Sequence, residues 1–204
     1  MVNSKIKHNG PAAGLISFVI GRLGMWLFRW KIVGQVPDGK KFVLIGAHHT
    51  SNWDFPFALC AMYSLRLKVS WIGKDTLFKK PFGGFMRWIG GIPVDRGNPQ
   101  GMVDQIAKRF KESNKLAVAI APSGTRKKRD YWKSGFYRIA LAAQVPVTCG
   151  YLDYKKKIAC LGLSFFLTGN ITKDMDRIRD FYKDVQAKHP EMATRIRLRD
   201  EDDK

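Results

Sequence analysis

Short, nearly continuous apolar runs alternate along this chain with stretches that repeat at helical spacing, and that alternation leaves few folds open. The runs are Phe42–Ala47, Val69–Gly73, Gly91–Val94, Leu116–Ala121 and Val145–Leu152, with a weaker one at Ile158–Gly162. Helix-like segments lie between them at Asp54–Leu65, Phe82–Trp88, Pro99–Ser113 and Gly135–Ala143. Strands that are apolar on both sides need both faces covered. The pattern therefore predicts an α/β domain with a largely parallel central sheet covered by helices on both faces. A chain of 204 residues is long enough to bury roughly 70% of the surface it exposes when unfolded. Lys173 to about His189 reads as a further amphipathic helix, and Asp200–Lys204 as a frayed end.

Ahead of this domain, Pro11–Trp30 places Leu15, Phe18, Val19, Leu23, Trp26, Leu27 and Trp30 at helical spacing. Its longest uncharged run, Asn9 to Gly21, ends at Arg22 and is shorter than a spanning helix needs. No small-residue cleavage site of a signal peptide follows it. One reading is a membrane-interfacial helix over residues 1–34, with tryptophans at headgroup depth and Arg22, Arg29 and Lys31 reaching for phosphates. The other is a helix packed into the core. Residues 35–204 form the main domain on either reading.

Charge narrows the partners. Lys and Arg outnumber Asp and Glu 36 to 17, a net +19. The nine basic and nine acidic residues from Lys173 to Lys204 cancel, so the whole excess sits in residues 1–172. Such a surface attracts polyanions: nucleic acid, an anionic membrane or a phosphorylated small molecule. Neither a zinc finger nor an RNP-like aromatic motif occurs, so no nucleic-acid partner is expected. Three cysteines, Cys60, Cys149 and Cys160, form no C-x-x-C pair, which fits a reducing compartment rather than a disulfide framework.

In sheets of this class ligands sit beyond the carboxyl ends of the strands. Three such ends carry distinctive sequence. After the first run comes His48-His49-Thr50-Ser51-Asn52-Trp53-Asp54. A histidine leaving a strand and an aspartate in the following helical turn can face each other. The carboxylate then takes one ring N–H and the other nitrogen is left as a base. Ser51 and Asp54 also stand at capping-box spacing, which is compatible with that role. The second end is Gly91-Ile92-Pro93-Val94-Asp95-Arg96, and the third Ala121-Pro122-Ser123-Gly124-Thr125-Arg126. Arginine offers a fork for phosphate, and a Ser-Gly-Thr turn offers hydroxyls and close backbone approach.

Taken in order, these blocks resemble the glycerolipid acyltransferase superfamily, in particular the 1-acylglycerol-3-phosphate acyltransferases. The likeness runs from about Phe42 to Leu152. His49 to Asp54 is similar to the family's His-x4-Asp block, Gly91–Arg96 to its second, Pro122–Arg126 to its third and Val145–Val147 to its fourth. Lys74, Leu77 and Phe78 with Pro81-Phe82 match the lead-in to the second block. The resemblance implies a membrane-associated acyltransferase domain on the cytoplasmic side, over residues 35–204. It implies a lysophospholipid acceptor and an acyl thioester donor, acyl-CoA or acyl-carrier protein, as co-substrate with no cofactor. By the same resemblance His49 and Asp54 are catalytic, and Arg96, Ser123, Gly124, Thr125, Arg126 and Lys74 hold the acceptor phosphate. One position departs: the third block normally begins with glutamate, and this chain has Ser123. That leaves open an altered acceptor, an impaired lipid-binding homologue or a substituted residue.

The residue types suit acyl transfer. A thiol of pKa about 8.5 leaves a thioester with little acid help, so the reaction needs chiefly a base for the attacking hydroxyl. A His–Asp pair supplies it without a serine or cysteine nucleophile, and no Gly-x-Ser-x-Gly elbow occurs. Backbone N–H groups are the default donors for the oxyanion. A metal site from His48, His49 and Asp54 lacks the dense ligand set of metalloenzymes, and none is expected. Withdrawing a 16-carbon acyl chain from water is worth on the order of 10 kcal/mol, so the substrate stays in a bilayer or a groove. Phe55, Phe57, Phe82, Phe85, Met86 and Trp88 are candidate walls of such a channel. Lys155–Lys157 read as solvated.

Overall fold

The structure, a computed structural model, describes residues 8–95 and 97–202. Seven strands form one sheet: β1 (Lys31–Gly34), β2 (Lys41–Gly46), β3 (Ser70–Lys74), β4 (Gly91–Val94), β5 (Leu116–Ile120), β6 (Val147–Asp153) and β7 (Ile158–Phe165). Six helices accompany them: α1 (Leu15–Leu27), α2 (Asp54–Ser64), α3 (Gly83–Trp88), α4 (Pro99–Glu112), α5 (Gly135–Ala143) and α6 (Ile171–Tyr182). The strand order is β1-β7-β6-β2-β5-β3-β4, with every pair parallel except β6–β7. The expected largely parallel sheet with helices on both faces is what the chain forms.

Alternation along the central strands divides the core. Val43, Ile45, Val118, Ile92 and Val94 pack under α4, α5 and α6, together with Ile106, Phe110, Phe136, Ile139, Met175 and Ile178. Phe42, Leu44 and Ala117 face the other way, onto Leu65, Leu67 and Val69 at the end of α2. Chain connectivity gives the same division. The crossovers β2–α2–β3 and β3–α3–β4 both step toward the β4 edge, so right-handed connections put α2 and α3 on one face. The steps from β4 to β5 and from β5 to β6 return and put α4 and α5 on the opposite face.

Helix α1 lies against α2 on the first of these faces. Gly21 permits the close approach: a Cβ there would stand 2.6 Å from the Cys60 carbonyl oxygen and 2.7 Å from the Ser64 nitrogen. Met25 is buried in this seam with Phe57 and Ala61. Most of the rest of α1, including Leu15, Ile16, Leu23, Trp26 and Leu27, is exposed. Trp30 departs from the expected headgroup position. It lies past the helix, buried against Phe57 and Tyr154 with ring centroids 5.0 and 5.1 Å away. Among the described residues no helix is long and apolar enough to cross a membrane.

Both ends of the last third differ from the sequence reading. Helix α6 stops at Tyr182 rather than near His189 because the next residues dock elsewhere. The Tyr154 N–H donates to the Gln186 carbonyl at 2.9 Å, Ala187 is buried, and the His189 N–H donates to Thr50 Oγ1 at 3.2 Å. Tyr182 itself is fully buried and donates its hydroxyl toward the carbonyls of Ile45 (2.9 Å) and Gly150 (3.1 Å). Asp200 to Asp202 are not frayed. Leu198 is fully buried, Glu201 pairs with Arg179 at 2.7 Å, and Asp202 accepts from Tyr131 at 2.7 Å; residues 203 and 204 lie outside the described residues.

Candidate active site

β2 sits near the middle of the sheet, flanked by β5 and β6. Its chain leaves the carboxyl edge through Ala47, turns at His48–Trp53 and enters α2 at Asp54. The turn is built around one carboxylate. Asp54 Oδ2 accepts from the Thr50 and Ser51 N–H groups, each at 2.8 Å, and lies 3.1 Å from His49 Nδ1. Asp54 Oδ1 accepts the Tyr154 hydroxyl at 2.7 Å. Ser51 Oγ accepts the Trp53 N–H at 3.2 Å. The aspartate thus braces the turn ahead of α2 and partners the histidine at once.

The Asp54 side chain is about 8% exposed and that of His49 about 24%. Burial alone would push the Asp54 carboxyl up. The hydrogen bonds from His49, Tyr154 and the Ser51 amide, with the nearby imidazole charge, outweigh it and hold the group below its ordinary value. Asp54 is accordingly a carboxylate at neutral pH. Burial and the bond to that carboxylate push the Tyr154 hydroxyl well above the ordinary phenol range, so it remains a donor. With Nδ1 engaged, Nε2 is the imidazole atom left to take a proton. The Thr50 and Ser51 amides are committed to Asp54, so neither serves as an oxyanion donor.

His48 behaves differently from its neighbour. It is half-buried beside Tyr182, ring centroids 6.4 Å apart, and burial lowers its pKa. The folded state therefore resists a proton that the unfolded chain accepts near pH 6.5. His48 costs stability as pH falls below that value, whereas the depressed Asp54 contributes stability that is lost only as pH falls below about 4. Urea unfolding between pH 7.5 and about 5 should show a decline in stability for the wild type that is shallower in His48→Gln. Equal slopes would remove this assignment.

The remaining blocks share the same carboxyl edge. β5 is the direct neighbour of β2, and β3 lies beyond it. The strands carrying the His49 and Lys74 ends are thus two spacings, roughly 10 Å, apart. Lys74 ends β3 and is exposed. Asp95 accepts the Gly97 N–H at 2.7 Å in the turn after β4; Arg96 lies outside the described residues. After β5 the turn at Pro122–Thr125 is closed by the Gly124 N–H on the Ala121 carbonyl at 2.9 Å. Gly124 holds a positive φ of 64° there, which favours glycine. Arg126 is exposed and Thr125 half-buried.

Ser123, expected among the acceptor contacts, is only 7% exposed and donates its hydroxyl to the Thr125 carbonyl at 2.8 Å. It braces the turn. Two residues that the sequence reading did not single out join the site. Tyr154, just past β6, completes the Asp54 shell. Lys133, fixed by its N–H on the Pro122 carbonyl (2.9 Å), lays its side chain along Gly124, with Cδ and Cε 3.1 Å from where a Cβ would stand. The candidate channel walls divide otherwise than expected. Phe57 is core, in contact with Phe28, Trp30, Trp53 and Tyr154. Phe55 on α2, Phe82 just ahead of α3, and Phe85 and Trp88 on α3 are exposed, and Met86 is half-buried.

Comparisons with known proteins agree with this geometry. The family profile "Acyltransferase" matches residues 29–151. A 1-acyl-sn-glycerol-3-phosphate acyltransferase from Haemophilus influenzae is 29% identical over 158 residues, 72% of this chain; the chain spans 63% of that protein's length. Among solved structures, the 1-acyl-sn-glycerophosphate acyltransferase PlsC from Thermotoga maritima shares the fold with a TM-score of 0.54 at 14% identity. That match covers 85% of this chain and 80% of that one. With the family profile spanning the His49–Asp54 turn, the strands on either side and the turn after β5, this chain belongs to the acyltransferase family.

Proposed function

We propose that this protein transfers a fatty acyl group from a thioester, acyl-CoA or acyl-carrier protein, to the hydroxyl of a lysophospholipid such as 1-acylglycerol-3-phosphate, at a membrane surface on the cytoplasmic side. The observation that carries the reading is the His49–Asp54 pair at the carboxyl edge of the sheet. His49 Nε2 takes the acceptor's hydroxyl proton as the oxygen attacks the thioester carbonyl. The carbon–oxygen bond forms, the carbon–sulfur bond breaks, and the proton passes to the departing thiolate. Asp54 holds the ring's other N–H and stabilises the imidazolium formed on the way. No covalent intermediate on the protein is required.

The acceptor's phosphate meets a cationic rim made by Lys74, Arg126 and Lys133, with the Gly124–Thr125 turn beside it; Arg96, outside the described residues, is a further phosphate contact by family resemblance alone. The relatives' names support a phosphate-bearing lysolipid acceptor. The direct test is a screen of labelled acyl-CoA against a panel of lysolipids with and without a headgroup phosphate. Transfer confined to phosphate monoesters is expected; no transfer to any lysolipid would overturn the reading.

Ser123 sets the second test. A glutamate at this buried position would lose the hydroxyl bond to the Thr125 carbonyl and would draw the Lys133 ammonium toward itself. Ser123→Glu should raise the acceptor KM by about 10-fold, the equivalent of one charge-assisted contact, with a smaller effect on kcat. A large gain in turnover instead would favour the other reading, a catalytically impaired lipid-binding homologue.

A further inference from the structure

We propose that the Asp75–Phe78 turn and α3 form a second membrane contact, separate from α1, which enters an anionic bilayer on the side of the sheet where the His49 turn opens. Leu77, Phe82, Phe85 and Trp88 are all exposed, Trp88 at 78%, and the Phe85 and Trp88 rings lie 5.9 Å apart. Four large apolar side chains outward on so short a segment form a patch rather than scattered exposure. The base beneath them is firm. Phe78 is buried and stacked on Trp71 at 5.7 Å, and Gly83 and Gly91 bring the chain so close to Phe78 that a Cβ at either would clash.

The surroundings indicate what covers this patch. Lys74, Lys79, Lys80 and Arg87 are exposed around it, with Asp75 the only acidic residue between positions 74 and 90. An apolar centre with a cationic rim matches a surface that is hydrocarbon inside and negatively charged at its edge. Position supports the same occupant. α1 and α3 lie on one face of the sheet, on either side of α2, and α1 repeats the chemistry, with Trp26 76% exposed beside Arg22 and Arg29. Aromatic pairs flank the N-terminal end of α2, Phe28–Trp53 at 6.1 Å toward α1 and Phe55–Trp71 at 4.9 Å toward β3. A flat lipid surface touches both at once, and two contacts on one body bind far more tightly than either alone. The inference rests on the proposed lipid acceptor only in giving the contact a purpose.

Vesicles of equimolar phosphatidylcholine and phosphatidylglycerol test it, with full-length wild type, Phe85→Ser/Trp88→Ser and Leu23→Ser/Trp26→Ser. Each double variant should lower vesicle partitioning on the order of 30- to 100-fold, as expected for withdrawing two large apolar side chains from an apolar phase. Brominated lipids should quench part of the tryptophan fluorescence, and Trp88→Phe should remove part of that quenching. Phe85→Ser/Trp88→Ser should lose acyl transfer to acceptor embedded in vesicles while keeping the rate on a water-soluble short-chain acceptor. Wild-type partitioning in that variant, with quenching unchanged by Trp88→Phe, would overturn the proposal. So would a dimer in the absence of lipid that the same substitutions dissociate, or binding of acidic carrier protein in place of vesicles. Should Trp88 be quenched while the wild type releases no thiol from any acyl thioester, the membrane contact stands and the acyltransferase reading falls.

Discussion

His49→Ala is expected to lower acyl transfer by about 10²- to 10⁴-fold, the range over which a positioned base acts, while leaving the fold in place. The side chain is about a quarter exposed and is hydrogen-bonded to Asp54. Its removal leaves Asp54 with the Thr50, Ser51 and Tyr154 bonds that hold the turn. Thiol release from an acyl thioester in the presence of acceptor measures the first effect, and an unchanged thermal melt establishes the second. Loss of rate with loss of fold would be read through His49→Gln, which retains bulk and hydrogen bonding but no basic nitrogen. Turnover near wild type in both variants would eliminate the proposed base.

Asp54→Asn should reduce the rate on the order of 10³-fold, as expected when an imidazole loses the anion that fixes its tautomer. It should also reduce stability by about 1–3 kcal/mol through the weakened hydrogen bonds of the Thr50–Ser51 turn. The amide nitrogen cannot accept the bonds that a carboxylate oxygen accepts, so either Tyr154 loses its acceptor or His49 and the two backbone donors lose theirs together. Tyr154→Phe separates these roles. It removes one donor to Oδ1 and leaves the Oδ2 cluster in place, so the rate should fall only about 10-fold, near the value of one hydrogen bond to a charged group. Because the tyrosine helps hold the Asp54 carboxyl low, the stability that Asp54 contributes and that is lost as pH falls below about 4 should be smaller in Tyr154→Phe than in wild type. Unfolding curves between pH 3 and about 6 report this difference, and a coincident pair of profiles would deny Tyr154 its place beside the dyad.

The parts of this fold that were legible in the sequence are those written in local periodicity. Phe42–Ala47 and Leu116–Ala121 are apolar on both faces because β2 and β5 are central, so they appear as strands without any partner being known. β1 left no such mark: Lys31–Gly34 is an edge strand, mostly exposed, defined by its pairing with β7. The His49–Asp54 pair was legible because six consecutive residues contain it. Tyr154 was not, since its relation to Asp54 spans 100 positions and it is followed by three lysines that look like an ordinary solvated turn. The aromatic residues of α3 misled as channel walls because composition shows that a side chain is apolar without showing which way its helix faces. The end of α6 was misplaced for a related reason. A helical pattern continues past Tyr182, but docking onto Thr50 and Tyr154 outcompetes local propensity.

Those long-range supports impose a temporal order on the enzyme's birth. His49 and Asp54 leave the ribosome early, yet the tyrosine that clamps the carboxylate follows 100 residues later, and the amide that reaches Thr50 comes from 139 residues beyond it. At a synthesis rate of about 5–20 residues per second, the nascent chain carries both reactive groups for several seconds before either brace exists. Catalytic competence therefore comes late in translation, after the hydrophobic face of the first helix has already emerged.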